Sequence, residues 1–366
     1  MSNSHDVFNR VQSASYTRRG ALKAFGAGIA ALSLAACSQS EQSDGADQTQ
    51  EQAQEEPVED VTVRVASLKG PTTIGLVQMM DETSGVPETD EPTTPAETGG
   101  ITYSYQVIAA PDDLLPKIIQ GEVDIACVPS NAGAVLYNKM NKGVRAIDIN
   151  TLGILSIVTG DESIKEFKDL AGHTVYISGQ GATPEYTFNY LAESAGIADE
   201  VTLEFRSEHA EVAALLAADP SAIGVLPQPF TTATLAKNES LSSPIDLTEV
   251  WEQYVTDGSK YVVGITIVNA DFADTHPEAV EDFLTRHAAS VKKVNEDPAA
   301  AAPLVVKAGI VAAESIAAKA IPACNIVCET GKEMKDSLEG YLKVLYDADQ
   351  TSVGGALPED DFYFGA

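Results

Sequence analysis

Positive charge is scarce in this chain of 366 residues: 23 Lys plus Arg stand against 54 Asp plus Glu, a formal net charge of −31. A surface that acidic repels polyanions, so nucleic acid is excluded as a partner. Long apolar runs are also missing. The apolar, Gly/Ala-rich run Ala24–Ala36 is too short to span a bilayer. No G-x-x-x-x-G-K-[ST] loop and no G-x-S-x-G elbow occurs, which excludes the common nucleotide and serine-nucleophile signatures. Gly179-Gln180-Gly181 begins like a dinucleotide fingerprint, but Pro184 stands where the third glycine belongs.

Histidine and cysteine are sparse too. His173, His209, His276 and His287 show neither H-E-x-x-H nor close Cys/His spacing, so no metal and no cofactor is expected. Cys127 lies in an apolar stretch and reads as a small packed hydrophobe. Cys324 and Cys328 form a close pair, which leaves a small-loop disulfide and two separate thiols equally open. No repeat of 20 to 50 residues signals a solenoid or propeller. What is present is 44% apolar residues, enough at this length for a sizeable core and two domains.

The N-terminus reads as an address. Twin arginines in Tyr16-Thr17-Arg18-Arg19-Gly20 precede the short apolar run, which ends in Leu34-Ala35-Ala36-Cys37. Residues 1–36 are therefore a signal peptide, exported by the twin-arginine or the general secretory route. Its end is similar to the lipobox of bacterial lipoproteins, which implies cleavage before Cys37 and lipidation of its thiol. Residues 38–60 contain no Lys, Arg or aromatic residue and cannot bury enough apolar area to fold. With Cys37 they make an acidic, disordered tether, so an extracytoplasmic protein anchored to the cell membrane by lipid is expected.

The folded part begins with Val61, Val63 and Val65 alternating with Thr62 and Arg64, the period of a strand. Gly70-Pro71 then fits an N-cap and a first helical position. Lys69-Gly70-Pro71-Thr72-Thr73 thus offers free backbone N–H groups, two hydroxyls and a cation at a strand end, a spot that attracts anions and polar groups, though an ordinary strand-to-helix turn has the same form. The device recurs. Strand 174–178 feeds Gly179–Glu185, with Thr183 as N-cap and Pro184 at the first helical position, and strand 223–226 ends in Pro227-Gln228-Pro229 before a helix. Ser130 is an expected N-cap after strand 123–128, and a short helix is expected over 163–170. Strands and helices alternate in two blocks, followed by a mostly helical tail, which argues for two α/β lobes.

Four stretches carry a family resemblance: Ser67–Thr72, Asp124–Asn131, Lys168–Tyr176 and Ile223–Pro229. With the lipoprotein signal, the chain resembles the solute-binding proteins of ABC importers, of the nitrate, sulfonate and taurine type that also includes binders of thiamine pyrimidine precursors. The resemblance implies a two-lobed type II periplasmic-binding-protein fold with a hinge, lobe I from 61–153 plus 260–366 and lobe II from 154–259. It implies a small polar or anionic solute captured by cleft closure, no chemistry on it, and the importer's membrane component as partner. By position in the motifs, Lys69, Gly70, Pro71, Thr72, Ser130 and Asn131 would line one wall, and Gly181, Ala182, Thr183 and Gln228 the other. The alternatives are an enzyme of the same fold acting in thiamine pyrimidine synthesis, whose cysteine-rich motif this chain lacks, and an inert scaffold.

Overall fold

The computed structural model describes residues 60–95 and 100–366; the readings of the signal peptide, of Cys37 and, Asp60 apart, of the tether lie outside them. The alternating valines form β1 (Val61–Leu68), with Val61, Val63 and Val65 buried and Thr62 and Arg64 exposed. Gly70 caps α1 (Pro71–Ile74), and the helical spacing of Ile74, Val77 and Met80 is split by a second start, α2 (Val77–Thr83). The split falls at Gly75, where an added Cβ would lie 3.0 Å from His287 Nε2 and 3.1 Å from Val291. A close helix neighbour therefore needs the glycine there.

The chain continues through β2 (Ile101–Ile108), α3 (Pro111–Ile119), β3 (Ile125–Pro129), α4 (Ser130–Lys139) and β4 (Val144–Leu152). It then builds β5 (Leu155–Thr159), β6 (Thr174–Ser178), α5 (Thr183–Ala195), β7 (Thr202–Arg206), α6 (His209–Ala218) and β8 (Ile223–Pro227). Next come α7 (Phe230–Leu235), β9 (Ser242–Asp246) and α8 (Leu247–Tyr254). The return leg is β10 (Val262–Asn269), α9 (Ala270–Thr275), α10 (Pro277–Glu296), α11 (Pro298–Lys307), α12 (Glu314–Ala320), β11 (Ile326–Glu329) and α13 (Gly331–Ala348).

Two sheets result. The six-stranded one has the order β11-β4-β10-β3-β1-β2, with β1 parallel to β2 and β3 and with β10 inserted antiparallel between β3 and β4. The five-stranded one has the order β7-β6-β8-β5-β9, with β6 parallel to its neighbours and β5 antiparallel to its own. The backbone passes from the first sheet to the second at Gly153-Ile154, and back just before Val262. At the first passage a Cβ on Gly153 would sit 2.3 Å from both Thr248 Oγ1 and Tyr261 Cδ1, so the two passages are packed directly against one another. Trp251 secures them, donating from Nε1 to Ser259 O at 2.9 Å.

One apolar core lies beneath α10, α11 and α2 on a face of the six-stranded sheet. A second runs from the opposite face of that sheet, through Leu338, Tyr341 and Leu342 of α13, to Ile157, Val175 and Ile177 of the second sheet, and a small third cluster joins Val212 and Leu216 of α6 to Val158 and Leu226. Three local expectations are corrected. The helix expected over 163–170 is a single 3-10 turn, Phe167–Leu170, closed by reciprocal Glu166 and Asp169 caps. Ser130 does not cap α4; Pro129 holds that position. Ala182 caps α5, which moves Thr183 and Pro184 one place into the helix. The edge strand β9 was hidden by Pro244, a residue that edge strands tolerate.

Candidate functional site

The ends of the sheets converge on a cavity of about 150 Å³ beside the two passages. Pro129 and Asn131 at the β3–α4 junction form one side, and Thr183 and Pro184 at the start of α5 face them with His209 at the start of α6. Ile154, Leu155, Pro227, Tyr261 and Val263 complete the lining. Each is a strand end, a helix start or a passage residue, so backbone architecture rather than a sequence motif brings them together. A larger groove of about 430 Å³ lies between α5 and α13, and Glu185, Glu193 and Asp347 make its wall acidic. The smaller cavity is the better candidate, because strand termini of both sheets meet there.

Its polar groups are few. His209 Nδ1 lies 2.5 Å from Ser178 Oγ at the end of β6, and the ring packs against Phe230 with centroids 5.6 Å apart. Burial lowers the His209 pKa from its ordinary value, with Glu208 opposing the shift, which favours the neutral imidazole. Burial raises the Tyr261 phenol well above its usual range, so it stays protonated. Asn131 is held by donation from Nδ2 to Ser352 O at 3.3 Å.

Of the residues expected at the site, Asn131 and Thr183 line this cavity. Ser130 is buried and turned inward, donating from Oγ to Val262 O at 2.7 Å. Gln228 is 6% exposed, and its Oε1 accepts from Thr232 N and Oγ1 at 3.3 and 2.7 Å, which caps the first turn of α7. Thr72 is also buried, its hydroxyl donating to Leu68 O at 3.1 Å. Gly70 and Pro71 serve the start of α1. Gly181 and Ala182 are exposed, and the Gly181 N–H donates to Glu185 Oε2 at 2.6 Å. Lys69 is exposed with its ammonium against Gly309, where an added Cβ would be 3.2 Å from Nζ. Sequence reasoning missed His209 and Tyr261. The signal for His209 was its place at the start of a helix after a strand, the same position that singled out Thr183.

A family model described as "NMT1/THI5 like" matches residues 97–301. The chain belongs to the NMT1/THI5-like family. Solved structures agree on the fold. This NMT1/THI5-like chain is similar to an ABC transporter protein from Parabacteroides distasonis, with 23% identity and a TM-score of 0.67 over 83% of this chain and 99% of that one. It is also similar to the periplasmic aliphatic sulphonate binding protein SsuA from Escherichia coli, with 12% identity and a TM-score of 0.60 over 78% and 87%. The alkanesulfonate-binding protein SsuA from Xanthomonas axonopodis, bound to MOPS, gives 11% and 0.54 over 82% and 96%. No curated protein sequence matches significantly. The architecture is thus the periplasmic-binding-protein fold expected from the sequence.

Away from the cavity, a polar row crosses the six-stranded sheet under α10. Asp148 of β4 accepts from Thr266 Oγ1 at 2.6 Å, and its Oδ2 lies 2.9 Å from His287 Nδ1, with Asp148 and His287 both fully buried. Asn150 Nδ2 donates to Thr266 Oγ1 at 3.1 Å, and Thr151 donates to Asn150 Oδ1 at 2.9 Å. Cys127 Sγ is 3.6 Å from Thr266 Oγ1, and Cys328 Sγ is 3.9 Å from Asp148 Oδ2. Asp148, His287 and Cys328 bring donor atoms within 4.8 Å of one another and are the described residues that could hold a metal ion. Cys127, Cys324 and Cys328 are free thiols. The Cys324–Cys328 bridge is therefore not made here: Cys324 is buried in the apolar core, while Cys328 sits beside Asp148. Burial raises the Cys324 thiol to about 12, which keeps it protonated and unreactive.

Proposed function

We propose that the protein captures a small solute in the cleft between lobe I (61–153 plus 260–366) and lobe II (154–259) and passes it to the membrane component of an ABC importer. It works outside the membrane, held there by lipid on Cys37. The observation that carries this reading is the cavity where strand ends of both sheets meet at the two passages. A solute touching both walls favours the closed arrangement by the contacts that an open one lacks. The similar structures include an ABC transporter protein and sulfonate binders, which supports transport as the setting.

Binding without chemistry is the simpler reading. Ser178 and His209 are paired, but Ser178 is not part of the cavity lining, so the pair orients the ring rather than arming a nucleophile. The test is thermal unfolding of the ligand-stripped protein with a panel of small solutes. A ligand at about 100 times its Kd should add about 2.7 kcal/mol of stability. The liganded form should also stimulate ATP hydrolysis by its reconstituted importer. A stabilising solute that is converted to product during the assay would shift the reading to the enzyme alternative.

A further inference from the structure

We infer that the cleft selects an uncharged molecule of about single-ring size, clamped between proline and aliphatic walls and oriented by a hydrogen bond to His209. This rests on the binding reading above and narrows it. None of the described residues lining the cavity is Lys, Arg, Asp or Glu. Pro129, Pro184 and Pro227 with Ile154, Leu155 and Val263 make the walls rigid and largely apolar. An ionised ligand desolvated among such groups finds no side-chain counter-charge to offset its lost hydration.

Two cations close to it in sequence or sheet are already paired. Lys260, next to Tyr261, binds Glu329 at 2.6 Å and Glu333 at 3.2 Å. Arg206 stacks on Tyr176, 4.7 Å from the ring centroid, and donates to Phe205 O and Glu204. The helix start that most resembles an anion site, before α5, already has the Glu185 carboxylate on the Gly181 N–H. The volume points to a small ligand. A cavity of about 150 Å³, half open to solvent, is below the roughly 300–1,000 Å³ of drug-sized sites and has room for about one ring between its walls. With Nδ1 occupied by Ser178, His209 Nε2 is the ring atom left for a ligand, and the neutral imidazole presents it without charge.

The experiment uses shape-matched pairs that differ in charge, benzamide with benzoate and nicotinamide with nicotinate, titrated calorimetrically into the full-length protein after ligand stripping. The amides should bind at least about tenfold more tightly than the carboxylates. His209→Leu should weaken amide binding by about 2- to 10-fold, the effect of one neutral hydrogen bond, with His209→Gln restoring part of it. Equal or tighter carboxylate binding overturns the inference. A second arm equilibrates the stripped protein with an ultrafiltered metabolite extract and identifies by mass spectrometry what denaturation releases, which decides the matter if neither pair binds. An uncharged molecule supports the inference; an anion overturns it while leaving the binding reading intact; release of nothing overturns both.

Discussion

His209 is the cleft residue whose chemistry is most exposed to experiment. Its pKa is lowered in the folded protein, so between that value and the ordinary histidine value the unfolded chain holds more protons than the native one. Stability should accordingly be full above about pH 6.5 and fall as pH drops below it. His209→Gln should flatten that part of the profile, measured as denaturation midpoint against pH; an unchanged slope would place the acid sensitivity elsewhere. Asp148 offers a larger effect. Its two oxygens serve Thr266 and His287 in a fully buried setting, and His287 Nε2 is already without a partner. Asp148→Ala should cost about 2 to 5 kcal/mol, because it leaves two buried groups, on His287 and Thr266, without their hydrogen-bond partner, and denaturant titration would read it. Lys69→Ala, in contrast, should leave ligand affinity within about twofold, since solvated surface lysines contribute little; a tenfold loss would return Lys69 to the site.

At the scale of elements, the passages between sheets decide the geometry. Gly153 packs against Thr248 and Tyr261, and Asn325 Nδ2 donates to Gly153 O at 2.6 Å, so β11, α8 and both passages meet at one residue. Gly153→Ala should destabilise by about 1 to 3 kcal/mol through overpacking and should reshape the cavity, because Ile154 and Tyr261 line it. A thermal melt and a ligand titration on the same variant would separate the two effects. Strand and helix starts were largely legible in the sequence. Pro71 and Pro184 mark the openings of α1 and α5 because a fixed φ and a missing N–H suit the first turn. The side-chain assignments at those starts fared worse. Ser130, Thr72 and Gln228 have the chemistry of ligand donors, but Thr72 and Gln228 found local partners in Leu68 O and Thr232, and Ser130 bonds Val262 O on the neighbouring strand.

At the scale of the whole molecule, the second apolar core continues through α13 from one sheet to the other. If the lobes close on solute as proposed, α13 must stay seated while the passages flex. The radius of gyration from X-ray scattering should then shrink on ligand addition with no change in helix content by circular dichroism; a constant radius would argue against hinge closure. The sequence by itself determined the period of strands such as β1 and the alternation of strands and helices in two blocks, because these depend on local sterics. Only the tertiary structure decided which groups face the cleft. His209, Tyr261 and Asn131 are remote in sequence, and their meeting depends on β10 threading between β3 and β4 after the second sheet is complete, a long-range pairing that no local pattern encodes.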